Sequence, residues 1–149
     1  MWGRHHDRVP VGVIDVGSNT VRLLVAEHGR TLATEREMLH LGADVERHGR
    51  IPTAKLGEVA AVVTRFADDA RNVGVSALEV LIASPGRQAE NGAELLAVAE
   101  ESARFPARIL SAAEEGQLAF VGAIAAAGVP PRRTVAVVDV GGGSAQVVV

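Results

Sequence analysis

Residues 11–25 have the sequence VGVIDVGSNTVRLLV, in which two apolar runs flank an Asp and a tight turn of small residues. Residues 135–149, VAVVDVGGGSAQVVV, repeat the same design. In each copy the apolar runs predict two β-strands, and the small residues between them predict a hairpin turn. The repeat therefore predicts two hairpins of one kind, far apart in the chain.

The turn residues are of the types that a phosphate site requires. A phosphate oxygen reaches successive backbone N–H groups only where no Cβ blocks its approach, and glycine adopts positive φ at little cost. The alternative from the residues alone is that each Asp merely caps an ordinary hairpin turn. We predict phosphate binding by both turns, through Gly17, Ser18, Asn19, Thr20, Gly141, Gly142, Gly143 and Ser144.

Asp15 and Asp139 precede the two turns. A carboxylate repels a nearby phosphate, so these positions predict a divalent cation, Mg²⁺ or Mn²⁺, with its waters between carboxylates and phosphate. Rossmann and P-loop fingerprints lead from a strand into a helix, and a P-loop also needs Gly-Lys-Ser/Thr. Both turns here lead into a second extended run, so neither fingerprint fits.

The first half of the chain predicts a meander followed by a helix. Extended runs from Val9 to Val16, Thr20 to His28 and Thr31 to Leu41 are separated by turn residues, which predicts three antiparallel strands. Apolar residues then recur at steps of three and four between Pro52 and Val73, which predicts an amphipathic helix capped by Thr53.

The second half alternates strands with helices. This alternation predicts parallel strands joined by crossover helices, and hence an α/β domain with a mixed sheet that resembles the ribonuclease-H-like unit of the actin-like ATPase superfamily. The predicted elements are strand 78–83, helix 91–103, strand 107–110, helix 113–127 and strand 134–140.

Three segments are predicted from these patterns. Residues 1–8 are expected to form a mobile tail, and residues 9–132 the ribonuclease-H-like phosphate-binding domain. Residues 130–133, PPRR, are the predicted linker, and residues 133–149 are expected to be the first strands of a truncated second domain.

Composition excludes several classes of function. A net charge of −3 is at odds with the broad basic surface of nucleic-acid-binding domains, and 3% aromatic residues leave few stacking platforms. The chain has no cysteine, which excludes disulfides and zinc-thiolate sites. No apolar stretch is long enough for a signal peptide or a membrane span. We therefore expect a cytoplasmic protein that binds neither nucleic acid nor membrane.

Four segments together resemble the exopolyphosphatase and guanosine pentaphosphate phosphohydrolase (Ppx/GppA) family. They are DVGSNTVRLL at residues 15–24, ASPGRQAEN at 83–91, ILSAAEE at 109–115 and DVGGGS at 139–144. The resemblance covers essentially the whole chain, although the family's proteins are longer. It implies a phosphoanhydride hydrolase with a divalent metal, acting on polyphosphate or guanosine pentaphosphate, and we expect a homodimer for the full-length protein.

Glu115 is the candidate catalytic carboxylate. Ser111 and Glu114 form a capping box at a helix start, which occupies Glu114 and leaves Glu115 to project from the first turn. From the residues alone, the preferred interpretation of Glu115 is a surface position that the helix dipole favours, and the resemblance reverses that preference. The resemblance implies the role of general base, orienting a water for in-line attack on the terminal phosphorus.

Two arginines are ambiguous. Arg22 lies in an otherwise apolar strand, where it would bind phosphate oxygens or pair with a carboxylate on the outer face of the sheet. Arg87 is either a phosphate ligand or a solvated residue at a helix start. The resemblance favours phosphate binding for Arg22, and we assign both arginines to the predicted phosphate site.

Gln146 departs from the family pattern, which usually has Glu at this position. A glutamine holds a water by hydrogen bonds but brings no charge and cannot act as a base. Three functions therefore remain open: a hydrolase, a regulatory protein that binds polyphosphate or (p)ppGpp with little or no turnover, and an ATPase or kinase of the actin-like superfamily. As an isolated chain, the protein is expected to be weakly active or inactive.

Overall fold

A computed structural model describes residues 9–128 and 134–149. Within these residues there are seven β-strands and five α-helices. The strands are β1 Val11–Val16, β2 Thr20–Glu27, β3 Arg30–Met38, β4 Ala77–Ile82, β5 Ala107–Ile109, β6 Val137–Val140 and β7 Ala145–Val148. The helices are α1 Leu41–His48, α2 Thr53–Val73, α3 Ser84–Gln88, α4 Gly92–Ala103 and α5 Ala112–Ala127.

The first five strands form one mixed sheet in the order β3-β2-β1-β4-β5. Tight turns join β1 to β2 and β2 to β3, so these three strands are antiparallel. The chain reaches β4 and β5 through helices, and both strands are therefore parallel to β1. The predicted α/β fold, a three-stranded meander followed by parallel strands with crossover helices, is confirmed.

The core lies between one face of this sheet and the helices α2 and α4. Alternate strand residues such as Ile14, Val16 and Leu23 are buried, as the two-residue period of a strand requires. The facing stripe of α2 includes Val59, Val63, Phe66 and Ala70. The opposite face of β1 and β2 carries Asp15 and Arg22. Because the apolar residues of these strands are buried on one face, the polar side chains of the other face remain accessible to a ligand.

Two helices were not predicted. The extended run predicted from Thr31 to Leu41 ends at Met38, because His40 takes the left-handed conformation with φ 56° and the chain enters α1. Leu41 and Val45, four residues apart, are the buried residues of this short helix. The other unpredicted helix, α3, has only five residues and contains a Pro and a Gly. The predicted cap Thr53 is also wrong, since Pro52 occupies the N-cap position and Thr53 is the first helical residue.

The hairpin β6–β7 forms a separate two-stranded sheet that packs against α5. The assignment of residues 133–149 to a second domain stays a prediction. The predicted tail at residues 1–8 and the predicted linker at 130–133 lie outside the described residues. Among the described helices, none has both the length and the apolar character to cross a membrane.

We expect that the close packing of α3 against α4 requires a glycine at position 92. A Cβ at this position would overlap the backbone carbonyl of Gly86, where helices α3 and α4 meet. We expect Gly92→Ala to lower the free energy of unfolding by about 1–3 kcal/mol, the typical cost of overpacking. Urea denaturation measures this change.

Gly57 provides the control, because it is exposed within α2 and a Cβ there would meet nothing within 4 Å. Gly57→Ala should raise the free energy of unfolding by about 0.5–1 kcal/mol, since glycine is a poor helix former. Equal effects of the two substitutions would contradict the packing argument.

Candidate active site

The first turn, residues 17–20, connects β1 to β2. It closes with a hydrogen bond of 3.0 Å from the N–H of Gly17 to the carbonyl of Thr20. The junction between β3 and α1 holds the turn from outside: Gly42 N–H donates to the Ser18 carbonyl at 2.8 Å, and His40 N–H donates to the Asn19 carbonyl at 3.1 Å. The Ser18 and Asn19 carbonyls therefore accept hydrogen bonds from the segment that leads into α1, which holds the turn in place.

The second turn, residues 141–144, has the same closure. The N–H of Gly141 donates to the carbonyl of Ser144 at 2.9 Å, between β6 and β7. This turn lies directly against the first, because a Cβ on Gly142 would overlap the Asn19 side chain and one on Gly143 would overlap Ser18 Oγ. Glycine is the residue that permits backbone to approach so closely.

The two turns line one cleft with a volume of about 600 Å³. Twelve of the fourteen residues predicted for the site line it, while Arg87 and Gln146 do not. The twelve are Asp15, Gly17, Ser18, Asn19, Thr20, Arg22, Glu115, Asp139, Gly141, Gly142, Gly143 and Ser144.

Ser84 lines the cleft and was not predicted. It follows the carboxyl end of β4, which runs parallel to β1 with Ile82 opposite Val16. The Ser84 hydroxyl lies 2.6 Å from the Ser18 hydroxyl, and both side chains are buried. The sequence signal was its position directly after a buried strand, since the carboxyl ends of parallel strands meet at one edge of a sheet.

Glu115 is presented by the start of α5. The predicted capping box is confirmed: the Ser111 hydroxyl accepts from Glu114 N–H at 3.2 Å, and Glu114 Oε2 accepts from Ser111 N–H at 2.8 Å. The Ser111 N–H, the Ser111 hydroxyl and nearby Arg108 lower the pKa of Glu114. Glu114 is therefore committed to the helix start, and Glu115 enters the cleft.

Both carboxylate oxygens of Glu115 have partners. Arg87 Nη2 donates to Oε2 at 2.7 Å, and the Ser144 hydroxyl donates to Oε1 at 3.4 Å. Arg87 is itself fixed, since its Nη1 donates to the Leu110 carbonyl at 2.6 Å. The structure therefore places Arg87 against Glu115 in a largely buried ion pair, and the assignment of Arg87 to phosphate binding stays a prediction.

Gln146 lies behind Ser144. Its Nε2 donates to the Ser144 hydroxyl at 2.9 Å, so the Ser144 hydroxyl hydrogen is available to Glu115. Gln146 is buried, and its Oε1 has no hydrogen-bond partner among the residues that the structure describes. It acts on Glu115 through Ser144, without lining the cleft.

Arg22 lies opposite Asp15 on the neighbouring strand and lines the cleft. It forms no ion pair with a carboxylate among residues 9–128 and 134–149. Its charge nevertheless acts on Asp15: burial raises the pKa of Asp15, Arg22 opposes that rise, and Glu115 and Asp139 add to it. The cleft therefore concentrates negative charge around Asp15.

The donor set suits a hydrated divalent cation. In the part of the chain that the structure describes, no three carboxylate or imidazole groups are grouped closely enough to hold an ion by themselves. Mg²⁺ commonly retains several waters and binds one or two carboxylates plus substrate phosphate. Asp15 and Asp139, which both line the cleft, fit that requirement, and a cation beside Asp15 would offset the burial and the neighbouring carboxylates that raise its pKa.

Comparison with known proteins finds relatives that are named as exopolyphosphatases and as a guanosine pentaphosphate pyrophosphatase. Exopolyphosphatase 2 of Mycobacterium tuberculosis is 29% identical over 154 residues, a match covering 93% of this chain and 47% of that protein. The guanosine-5'-triphosphate,3'-diphosphate pyrophosphatase of Vibrio cholerae is 25% identical over 140 residues, covering 91% of this chain and 28% of that protein. The chain thus spans less than half the length of either relative.

Solved structures show the same fold. The PPX-GPPA enzyme of Aquifex aeolicus superposes with a TM-score of 0.80 at 26% identity, covering 93% of this chain and 47% of that one. The ethanolamine utilization protein EutJ of Carboxydothermus hydrogenoformans, with a TM-score of 0.56 at 18% identity, shares the fold alone. It covers 93% of this chain and 46% of that one. The predicted fold class, the ribonuclease-H-like fold of the actin-like ATPase superfamily, is confirmed, whereas the bounds of the domain stay a prediction.

The family model of the Ppx/GppA phosphatase family matches residues 21–149. That match includes Glu115 and the whole second turn. With most of the chain inside it, this protein belongs to the Ppx/GppA phosphatase family.

Proposed function

We propose that this protein releases the terminal phosphate from a phosphoanhydride chain, either inorganic polyphosphate or guanosine pentaphosphate. The observation that carries the proposal is the meeting of the two glycine-containing turns around one cleft that Glu115 also enters. The names of the relatives, exopolyphosphatase and guanosine pentaphosphate pyrophosphatase, support this substrate class.

The turns supply donors for a phosphoryl group. Among the described residues, the backbone N–H groups of Ser18, Asn19, Gly142 and Gly143 donate to no backbone acceptor. Backbone donors left without partners at adjoining turns form an anion-binding concavity. Arg22 adds a positive charge at the same cleft, so the negative charge of the transferred group is neutralised from both turns and from β2.

Glu115 supplies the base. Its two hydrogen bonds, from Arg87 and Ser144, fix its carboxylate at the cleft, where it accepts a proton from a water attacking the terminal phosphorus in line. The bond between that phosphorus and the bridging oxygen breaks, and the shortened chain leaves with the electron pair. Arg87 acts as a positioning residue in this scheme.

Asp15 and Asp139 would hold the divalent cation, with Gln146 set too far back to take part directly. A bound Mg²⁺ or Mn²⁺ supplies charge neutralisation for the phosphate oxygens. The two carboxylates would determine where the cation lies, because each faces the cleft from the strand that leads into one of the turns.

A regulatory phosphate-binding protein is the second candidate. The observation that favours it is Gln146, which stands where a carboxylate is expected in the family, together with the occupation of both Glu115 oxygens. Such a protein would keep the phosphate site and lose turnover.

A substrate panel separates these candidates. We expect the full-length protein to release phosphate from polyphosphate or guanosine pentaphosphate with Mg²⁺, and to stop when EDTA removes the metal. Phosphate release measured over time is the readout, with ATP as the comparison substrate. Tight binding of polyphosphate without any release would favour the regulatory protein, and absence of both would contradict the proposed function.

Glu115→Gln tests the base. The amide cannot accept the proton, so we expect turnover to fall by about 10²–10⁴-fold while substrate binding persists. The matched control is Glu114→Gln, one residue earlier on the same helix turn, which keeps a capping side chain and should retain turnover. Unchanged turnover in Glu115→Gln would show that another group is the base.

Asp15→Asn tests the charge in the cleft. Because the pKa of Asp15 is raised on folding, the folded state binds its proton more tightly than the unfolded state. Its carboxylate therefore costs stability that grows as pH rises above the ordinary value of 3.8. Without metal we expect Asp15→Asn to be more stable than the wild type at pH 7, by a margin that shrinks at pH 4.5.

Urea denaturation at the two pH values measures that margin. Added Mg²⁺ should raise the stability of the wild type at pH 7 and have a smaller effect on Asp15→Asn. A wild type more stable than the variant at pH 7 without metal would contradict the electrostatic argument.

A further inference from the structure

We propose that Arg22 and Arg36, the arginine row, form a subsite for the phosphates that follow the terminal one in a polyphosphate chain. The proposal rests on the proposed function, because it assumes that the terminal phosphate lies between the two turns. It also selects one of the two substrates named above.

The row follows from strand register. Arg22 on β2 lies opposite Asp15 on β1 and opposite Arg36 on β3. Directly opposite residues of neighbouring strands project from the same face of a sheet. With strands about 4.8 Å apart, Asp15, Arg22 and Arg36 make a line of about 10 Å that leads away from the cleft.

The surface along this line is continuous. Arg22 lines the cleft and also borders a shallow depression of about 340 Å³ on the outer face of β2 and β3, and Arg36 borders the same depression. The other bordering residues are Leu23, Leu24, Thr34 and Glu35. Thr34 shares the face of Arg36, whereas Glu35, the one carboxylate, has the opposite strand parity.

Within the described residues, neither arginine of the row forms a close ion pair, although Arg22 acts electrostatically on Asp15. Of the ten arginines that the structure describes, four form ion pairs with carboxylates within 4 Å: Arg65, Arg71, Arg87 and Arg108. Neither member of the row does so within the described ranges, although both side chains are exposed. Like charges directly opposite on a sheet are destabilising, and an anion bridging them would reverse that effect.

The lining of the depression favours a repeating inorganic chain over a nucleotide. A chain of phosphates presents negative charge at regular intervals and would meet Arg22 and then Arg36 as it leaves the cleft. A guanine base would need a stacking surface, and the residues that border the depression include no aromatic side chain. The row therefore fits polyphosphate.

Chain-length-dependent binding tests the proposal. The full-length protein would be titrated with tripolyphosphate and with long-chain polyphosphate in the presence of Mg²⁺, at low ionic strength. We expect Arg36→Ala to weaken binding of the long chain by about three- to fivefold, the scale of an exposed ion pair, and to leave tripolyphosphate binding unchanged. Arg36→Lys should retain most of the affinity.

Arg30→Ala is the matched control. Arg30 is also an exposed arginine of β3, but it begins the strand at the end remote from Arg36 and borders neither the cleft nor the depression. Its removal should leave binding of both ligands unchanged. Equal losses in Arg30→Ala and Arg36→Ala, or an equal loss for both ligands in Arg36→Ala, would overturn the subsite while leaving the proposed function intact.

Two further outcomes complete the test. If a single-stranded RNA of matched charge binds as tightly as polyphosphate and depends equally on Arg36, the row is a general anionic surface and the proposal fails. If the wild type binds neither phosphate ligand, the proposed function fails together with the subsite.

Discussion

The candidate site depends on a close approach between two hairpin turns that only glycine allows. At Gly142 and Gly143 the backbone of the second turn lies where any Cβ would overlap Asn19 or Ser18 of the first. Because the turns touch, the residues whose N–H groups donate to no backbone acceptor in the described part of the chain line one cleft. Each turn contributes backbone N–H donors, and the contact between the turns brings the two sets of donors together.

The sheet provides the frame that holds this contact. Parallel pairing of β1 with β4 brings the ends of both strands to one edge, where the hydroxyls of Ser18 and Ser84 meet. The chain then turns through α3, which carries Arg87 toward Glu115 and Gln88 toward the second turn, where Gln88 Nε2 donates to the Gly143 carbonyl at 3.0 Å. The pairing of β1 with β4 therefore positions the Ser18–Ser84 contact, Arg87 and Gln88. Its support is the apolar core beneath, in which Ile14, Val16 and Ile82 are fully buried.

The features that could be predicted from the sequence are those that depend on residues close together in the chain. Both hairpins, the mixed sheet and the capping box were predictable because their signals, alternating apolar residues, small turn residues and a Ser-x-x-Glu spacing, lie within short segments. Helix α1 was not predicted because it begins after a left-handed His40 that provides no side-chain cap, and residues other than glycine seldom adopt that conformation. The roles assigned to the site residues stay predictions.

Contacts between distant residues could not be predicted in this way. The ion pair of Arg87 with Glu115 joins residues 28 positions apart, and the Ser18–Ser84 contact joins residues 66 positions apart. Each exists only because parallel strand pairing and the packing of α5 bring separate segments to one place. Arg87 illustrates the difficulty, since in the sequence it has the properties of any arginine near a helix start.

The uncharged Gln146 limits the negative charge near the cleft. Burial raises the pKa of Asp15, and the nearby carboxylates of Glu115 and Asp139 raise it further. A buried carboxylate at position 146 would add a fourth negative charge and would compete with Glu115 for the Ser144 hydroxyl hydrogen. The glutamine avoids both effects and directs that hydrogen to Glu115. Its cost is one buried acceptor without a partner, typically about 1–3 kcal/mol. The arrangement therefore exchanges some stability for a carboxylate that is held in place from two sides.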